Sequence, residues 1–138
     1  GLEVGNEEFR KKVLNKKMRN EVYLKAFENC NKYSIRTTAN MMIGFPEETE
    51  DSILETIDFC KKCKVGSISV SILAPYYGTR IREICLEKGL IEDKIYPDIS
   101  LYYQSVIKLN IPKEKFEYYY FNFNELVYGK KQDSGEDA

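Results

Sequence analysis

One stretch of this chain constrains its fold more than any other: Asn40-Met41-Met42-Ile43-Gly44-Phe45-Pro46-Glu47-Glu48, an apolar run broken by glycine and proline and followed by acids. Upstream, Ile35-Arg36-Thr37-Thr38-Ala39 extends it into a strand rich in β-branched residues, expected over Ile35–Ile43 and buried. Downstream, Glu48-Thr49-Glu50-Asp51 opens an amphipathic helix, with acids where the positive end of the helix dipole favours them. A strand, a Gly-Pro turn and a helix make half of a βαβ unit. Glycine at the strand end lets a ligand or another backbone approach, because no Cβ stands in the way.

The same grammar recurs on either side. Gly1-Leu2-Glu3-Val4-Gly5 reads as the end of a strand and its exit turn, followed by a short helix through Phe9, Val13 and Leu14. Asn20 is the expected N-cap of the next helix, with Val22, Tyr23, Ala26 and Phe27 at helical spacing and Asn31 near its end. The helix after Glu48 carries Ile53, Ile57 and Cys60 on one stripe, and Gly66 is its expected stop. Ser67-Ile68-Ser69-Val70-Ser71-Ile72-Leu73 alternates strictly, Ala74–Gly78 turns, and Thr79 caps a helix through Ile81, Ile84 and Leu86 to Gly89. Short β-α-β-α-β-α connections imply parallel strands.

After Ile91 the character changes. Residues 95–98 read as a loop, Leu101–Leu109 as a helix, and Pro112 as the start of an aromatic-rich helix spanning Phe116–Val127. Core packing at helical spacing is preferred for those aromatics over docking of a partner or cover for an open sheet. Three units are expected: 1–94 as the α/β part, 95–128 as a helical extension and 129–138 as a polar, disordered tail.

Composition removes several classes of function. In 138 residues, 21 basic and 22 acidic side chains leave a net charge of -1, which argues against a nucleic-acid-binding domain driven by charge. The Lys/Arg clusters at Arg10–Arg19 and Lys61–Lys64 read as solvated helix faces. No apolar run reaches the roughly 18 residues of a membrane span, no signal peptide is visible, and four cysteines form no dense framework, so a reducing, cytoplasmic setting is expected. The chain has no histidine, which removes His-based triads and His metal sites, and it has no glycine-rich nucleotide loop. Cys60-Lys61-Lys62-Cys63 is a lone CxxC inside an expected helix, weak evidence for zinc or redox chemistry, while Cys30 and Cys85 read as small packed residues.

What remains is geometric. The turn-rich segments Glu3–Asn6, Gly44–Glu48 and Ala74–Gly78 each follow an expected strand, so in a parallel sheet or barrel they emerge on one rim. Sites in such folds lie on that rim.

At this point the residues resemble a family. Gly1-Leu2-Glu3-Val4-Gly5-Asn6, Val13-Leu14-Asn15-Lys16, Arg36–Thr49 and Ser69–Thr79, in this order and spacing, are similar to the second half of a radical S-adenosylmethionine enzyme. Within that family they are most similar to the group that often carries an N-terminal cobalamin-binding domain. The resemblance covers roughly residues 1–90. It implies an α/β fold that is the second half of a partial (β/α)6, TIM-like barrel with an α-helical C-terminal extension, and it makes the chain a fragment whose partner is the missing N-terminal half.

The resemblance also implies cofactors and roles. Glu3 and Asn40 correspond to positions that meet the ribose hydroxyls or amino group of S-adenosylmethionine, and Asn6 is counted with them. Lys16 stands where the family usually has an arginine for the methionyl carboxylate; it keeps the charge and loses the bidentate fork. Met42 to Gly44 would lie against the adenine, and Ala74 would complete that pocket. The CxxxCxxC that holds a [4Fe–4S] cluster is absent from the sequence, so the cluster ligands are expected outside this chain. Reductive cleavage of the cofactor to a 5′-deoxyadenosyl radical would belong to the intact protein, with cobalamin a further cofactor there and the substrate unspecified. The competing reading is a non-catalytic α/β binding or interaction module.

Overall fold

The computed structural model describes residues 1–95 and 104–129. Among them, two strands and five helices run in the order α1 (Glu7–Leu14), α2 (Asn20–Lys32), β1 (Thr38–Ile43), α3 (Glu50–Cys63), β2 (Ser67–Ile72), α4 (Arg80–Glu87) and α5 (Lys113–Tyr128). β1 and β2 pair in parallel from Thr38↔Ser67 to Ile43↔Ile72, with α3 as the crossover. The expected strand at Gly1–Gly5 contracts to one parallel bridge, Glu3↔Met41. The class is α/β, as read from the sequence.

β1 is shorter at its start than expected: Ile35 is exposed and the strand begins at Thr38. The residues ahead of it are spent on leaving α2, where Ser34 takes a left-handed φ of 55° and Ile35 N–H returns to the Cys30 carbonyl. Along β1, Ala39, Met41 and Ile43 are buried. They meet Ile53, Ile57, Phe59, Cys60 and Cys63 of α3, which confirms the apolar stripe on that helix. α3 starts on a capping box: Thr49 Oγ1 accepts from Ser52 N–H and Ser52 Oγ accepts from Thr49 N–H. Such a cap is worth about 1 kcal/mol. The helix ends on Lys64 at φ 49°, so Lys64 and not Gly66 supplies the left-handed residue.

The aromatic helix is a core element. Phe116, Tyr119 and Phe123 of α5 are buried with Met41, Ile43 and Ile72, while Tyr118 and Phe121 face outward. Burying a Phe side chain contributes about 1.5–3 kcal/mol, enough to make α5 a fixed wall on the α3 side of the sheet. The helix expected at Leu101–Leu109 is not formed over 104–109, where Lys108 N–H instead bonds the Leu90 carbonyl and Ile107 is buried under the strand ends. Residues 101–103, most of the loop expected at 95–98 and the tail beyond 129 lie outside the described residues.

Two further readings change. Asn20 does not cap α2; it is the first helical residue after Arg19, and its side chain accepts from Arg10 at 2.7 Å and donates to the Gly5 carbonyl at 2.9 Å. Arg10 is not on a solvated face but fully buried. Its guanidinium donates to the carbonyls of Val4 and Met18 at 2.7 and 2.8 Å and lies 4.8 Å from the Tyr23 ring centroid. Only arginine offers a rigid fork that can tie three segments at once. Arg10→Ala removes several charge-assisted bonds and strands buried carbonyls, so it is expected to cost on the order of 3 kcal/mol in denaturant unfolding, with Arg10→Lys recovering only part.

Candidate functional site

The strand ends converge as parallel pairing requires. Val4 and Phe45 of the first two turns and Leu73, just ahead of the third, share a buried cluster with Cys85, Ile91 and Ile107. Leu73 N–H bonds the Ile43 carbonyl at 2.8 Å, which sets Ala74 beside Gly44. Gly5 lets α3 pack closely on the first turn: a Cβ there would lie 2.7 Å from Thr56 Cα, and its N–H donates to Thr56 Oγ1 at 3.0 Å.

Glu3 sits at this edge with a left-handed φ of 67°, uncommon for a residue other than glycine. Three bonds hold it there: Leu2 and Glu3 N–H both reach the Asn40 carbonyl, and Met42 N–H reaches the Glu3 carbonyl at 2.9 Å. Its carboxylate accepts from Lys16 Nζ at 2.7 Å, and the same ammonium touches the Gly1 carbonyl at 3.2 Å. The structure therefore brings Glu3, Lys16 and the Asn40 backbone together. The Lys16 side chain is 40% exposed, so the pair contributes at most about 1 kcal/mol and can exchange for a ligand carrying opposite charges. Asn40 itself is exposed, Met42 is half-buried under the rim cluster, and Ala74 is half-buried.

Asn6 and Gly44 are occupied otherwise. Asn6 caps α1 by accepting from Phe9 N–H at 2.8 Å and donates to Glu55 at 2.9 Å. Gly44 has φ 89°, and a Cβ on it would meet Phe116 Cζ at 3.3 Å and Ile72 Cγ2 at 3.4 Å. Its bareness makes room for the α5 wall on that side. A concavity of about 430 Å³ between the 104–111 segment and α5 also borders Phe116, with Ile107, Ile111, Lys108 and Lys113, but none of the expected site residues lines it.

Glu48 was missed as more than a helix-opening acid. It is buried, and one carboxylate oxygen accepts from Gly44 N–H at 2.5 Å and Phe45 N–H at 3.2 Å, so it clasps the turn that ends β1. Burial pushes its carboxyl up to about 7, and the two amide bonds only partly offset this. Beside it Glu47, at φ 65°, pairs with Lys88 beyond α4, which holds its carboxyl below the ordinary value. The third turn has its own clasp: Arg82, buried, donates to the carbonyls of Pro75 and Asp93 and stacks 3.8 Å from the Tyr77 ring centroid. The pair of acids after Gly-Phe-Pro was the available signal for Glu48; nothing distinguished Arg82 from its charged neighbours.

No group of three or more His, Cys, Asp or Glu side chains suited to a metal occurs among the described residues. Cys60 and Cys63 are buried on α3, and burial pushes their thiols up to about 12 and about 11. They are packing residues, chemically unlike cluster or redox cysteines, which need a stabilised thiolate. No helix among the described residues is long and apolar enough to cross a membrane.

Residues 1–60 match the radical SAM superfamily. Over 66 residues it is 32% identical to a Pyrococcus horikoshii protein named as an uncharacterized methyltransferase, covering 48% of this chain and 14% of that protein. Over 83 residues it is 30% identical to a tRNA-2-methylthio-N(6)-dimethylallyladenosine synthase of Syntrophomonas wolfei, covering 59% and 19%. The synthase of the same name from Clostridioides difficile is 32% identical over 80 residues, covering 56% and 16%. These relatives are named as enzymes, and the chain spans less than a fifth of the length of each.

Two measurements check the site's electrostatics. Because the folded Glu48 carboxyl lies above its ordinary value of 4.5, its contribution to stability is full below that value and is lost as pH rises through about 7. Glu48→Gln keeps an acceptor for the two amides, so its denaturation profile is expected to lack this decline, a difference on the order of 3 kcal/mol across the window. Thiol labelling of the native protein is expected to reach half-buried Cys30 and to spare Cys60, Cys63 and Cys85 until unfolding.

Proposed function

We propose that this chain is part of a radical SAM enzyme and forms the S-adenosylmethionine-binding half of its barrel, with 95–128 as a helical C-terminal extension. The observation that carries this reading is the cluster at the first strand end. A strained, backbone-locked Glu3 and Lys16 form an exchangeable ion pair, bonded through the main chain to exposed Asn40. A zwitterionic methionyl group matches that arrangement: Lys16 meets its carboxylate, Glu3 its ammonium, and Asn40 a ribose hydroxyl. Met42 and Ala74 offer half-buried surface beside the strand ends for the adenine.

The cofactor supplies, when cleaved at a reduced [4Fe–4S] cluster, a carbon radical able to take a hydrogen atom from substrate. The described residues do not fit the cluster: no suitable donor group is present among them, and Cys60 and Cys63 are held as protonated thiols in the core. This half of the protein therefore binds and orients, through Glu3, Lys16 and Asn40, and keeps water from the apolar side through the α5 wall.

The test uses the full-length protein with its cluster reconstituted. Asn40→Ala is expected to weaken S-adenosylmethionine binding, read by calorimetry, by several-fold to about tenfold, and Glu3→Ala by more, because it meets a charged group. Iron content stays at the wild-type value in both. A binding module without radical chemistry would show no cofactor affinity to lose.

A further inference from the structure

Parallel strands with helices on both faces read as continuous apolar runs, because both faces are buried. β1 and β2 break this rule. One face carries Ala39, Met41, Ile43 and Ile72 into the core; the other, rung by rung, pairs Thr38 with Ser67, Asn40 with Ser69 and Met42 with Ser71. Thr38, Asn40, Ser67, Ser69 and Ser71 are all exposed. Hydroxyl and amide groups buried without partners are costly, so this face is built to meet water or a polar ligand. Two of the three rungs are satisfied internally: Thr38 and Ser67 share a 2.7 Å bond, and Ser71 Oγ donates to the Met41 carbonyl at 3.3 Å. On the middle rung, neither Asn40 nor Ser69 has a side-chain hydrogen bond to a described residue.

We propose that Ser69 is a ligand-binding residue that works with Asn40 to hold the ribose diol of S-adenosylmethionine. Paired strands stand about 4.8 Å apart, so two side chains on one rung can converge on adjacent hydroxyls. The charge pattern selects the ligand. The rung is neutral and suits an uncharged hydrogen-bonding group, while the Glu3–Lys16 ion pair next to it suits a zwitterion. A nucleoside bearing an amino-acid end has both parts in one molecule. This inference rests on the cofactor reading above and adds to it a residue on the second strand.

The experiment is calorimetric titration of the full-length, cluster-loaded protein with S-adenosylmethionine and with its 2′-deoxy and 3′-deoxy analogues, without reductant. Ser69→Ala is expected to raise the dissociation constant for S-adenosylmethionine about two- to tenfold. The loss disappears for the analogue lacking the hydroxyl that Ser69 meets, and Ser69→Thr, which keeps a hydroxyl and suits a strand, binds within about twofold of wild type. Unchanged affinity in Ser69→Ala, with Asn40→Ala weakened, overturns the role of Ser69 and leaves the cofactor reading standing. Equal losses for all three ligands also overturn it, since they mark a structural effect. Unchanged affinity in Ser69→Ala, Asn40→Ala and Glu3→Ala together overturns the cofactor reading itself.

Discussion

Six rungs of parallel pairing between β1 and β2 organise everything else in this chain. Parallel strands cannot be joined by a hairpin, so α3 must cross over and lay its apolar stripe on the sheet. The same direction sends both exits, at Gly44 and Ala74, to one edge, and the single bridge at Glu3↔Met41 adds a third. A rim with three chain exits is a place where groups from distant parts of the sequence meet, and the Glu3 and Lys16 side chains and the Asn40 carbonyl do so there.

The turns on that rim are clasped by buried charge. Arg10 ties the first to the start of α2, Glu48 folds back under the amides of the second, and Arg82 ties the third to residues 93–95. Each charged group meets backbone groups that would otherwise be unsatisfied in a dry interior. The arrangement trades the cost of burying a charge for fixed backbone geometry at the strand ends. α5 completes the support by filling the space a side chain at Gly44 would have taken.

Periodicity and turn chemistry made much of this legible. The alternation in Ser67–Ile72, the stripe of Ile53, Ile57 and Cys60, the Thr79 cap and the helical aromatics after Pro112 are local signals, set by which atoms lie one turn or one pleat apart. Where local signals failed, a longer-range contact had won. Asn20 has every property of a cap, yet Arg10 and the Gly5 carbonyl claim it. Gly66 is the usual stop, yet Lys64 absorbs the left-handed turn. Residues 104–109 have a helix-like pattern, yet Ile107 is pulled under the strand ends.

By itself the sequence determined the element order, the parallel class and which turns leave the strands at one edge, because these follow from spacing along the chain. Only the tertiary structure decided which of the candidate site residues are free to act. It committed Asn6 to a cap and Gly44 to the aromatic wall, joined Glu3 to Lys16, and left Asn40 beside Ser69 on an open polar rung. The physical reason is that a polar side chain bonds whatever partner folding brings within about 3 Å, and that partner is set by packing between segments far apart in the chain.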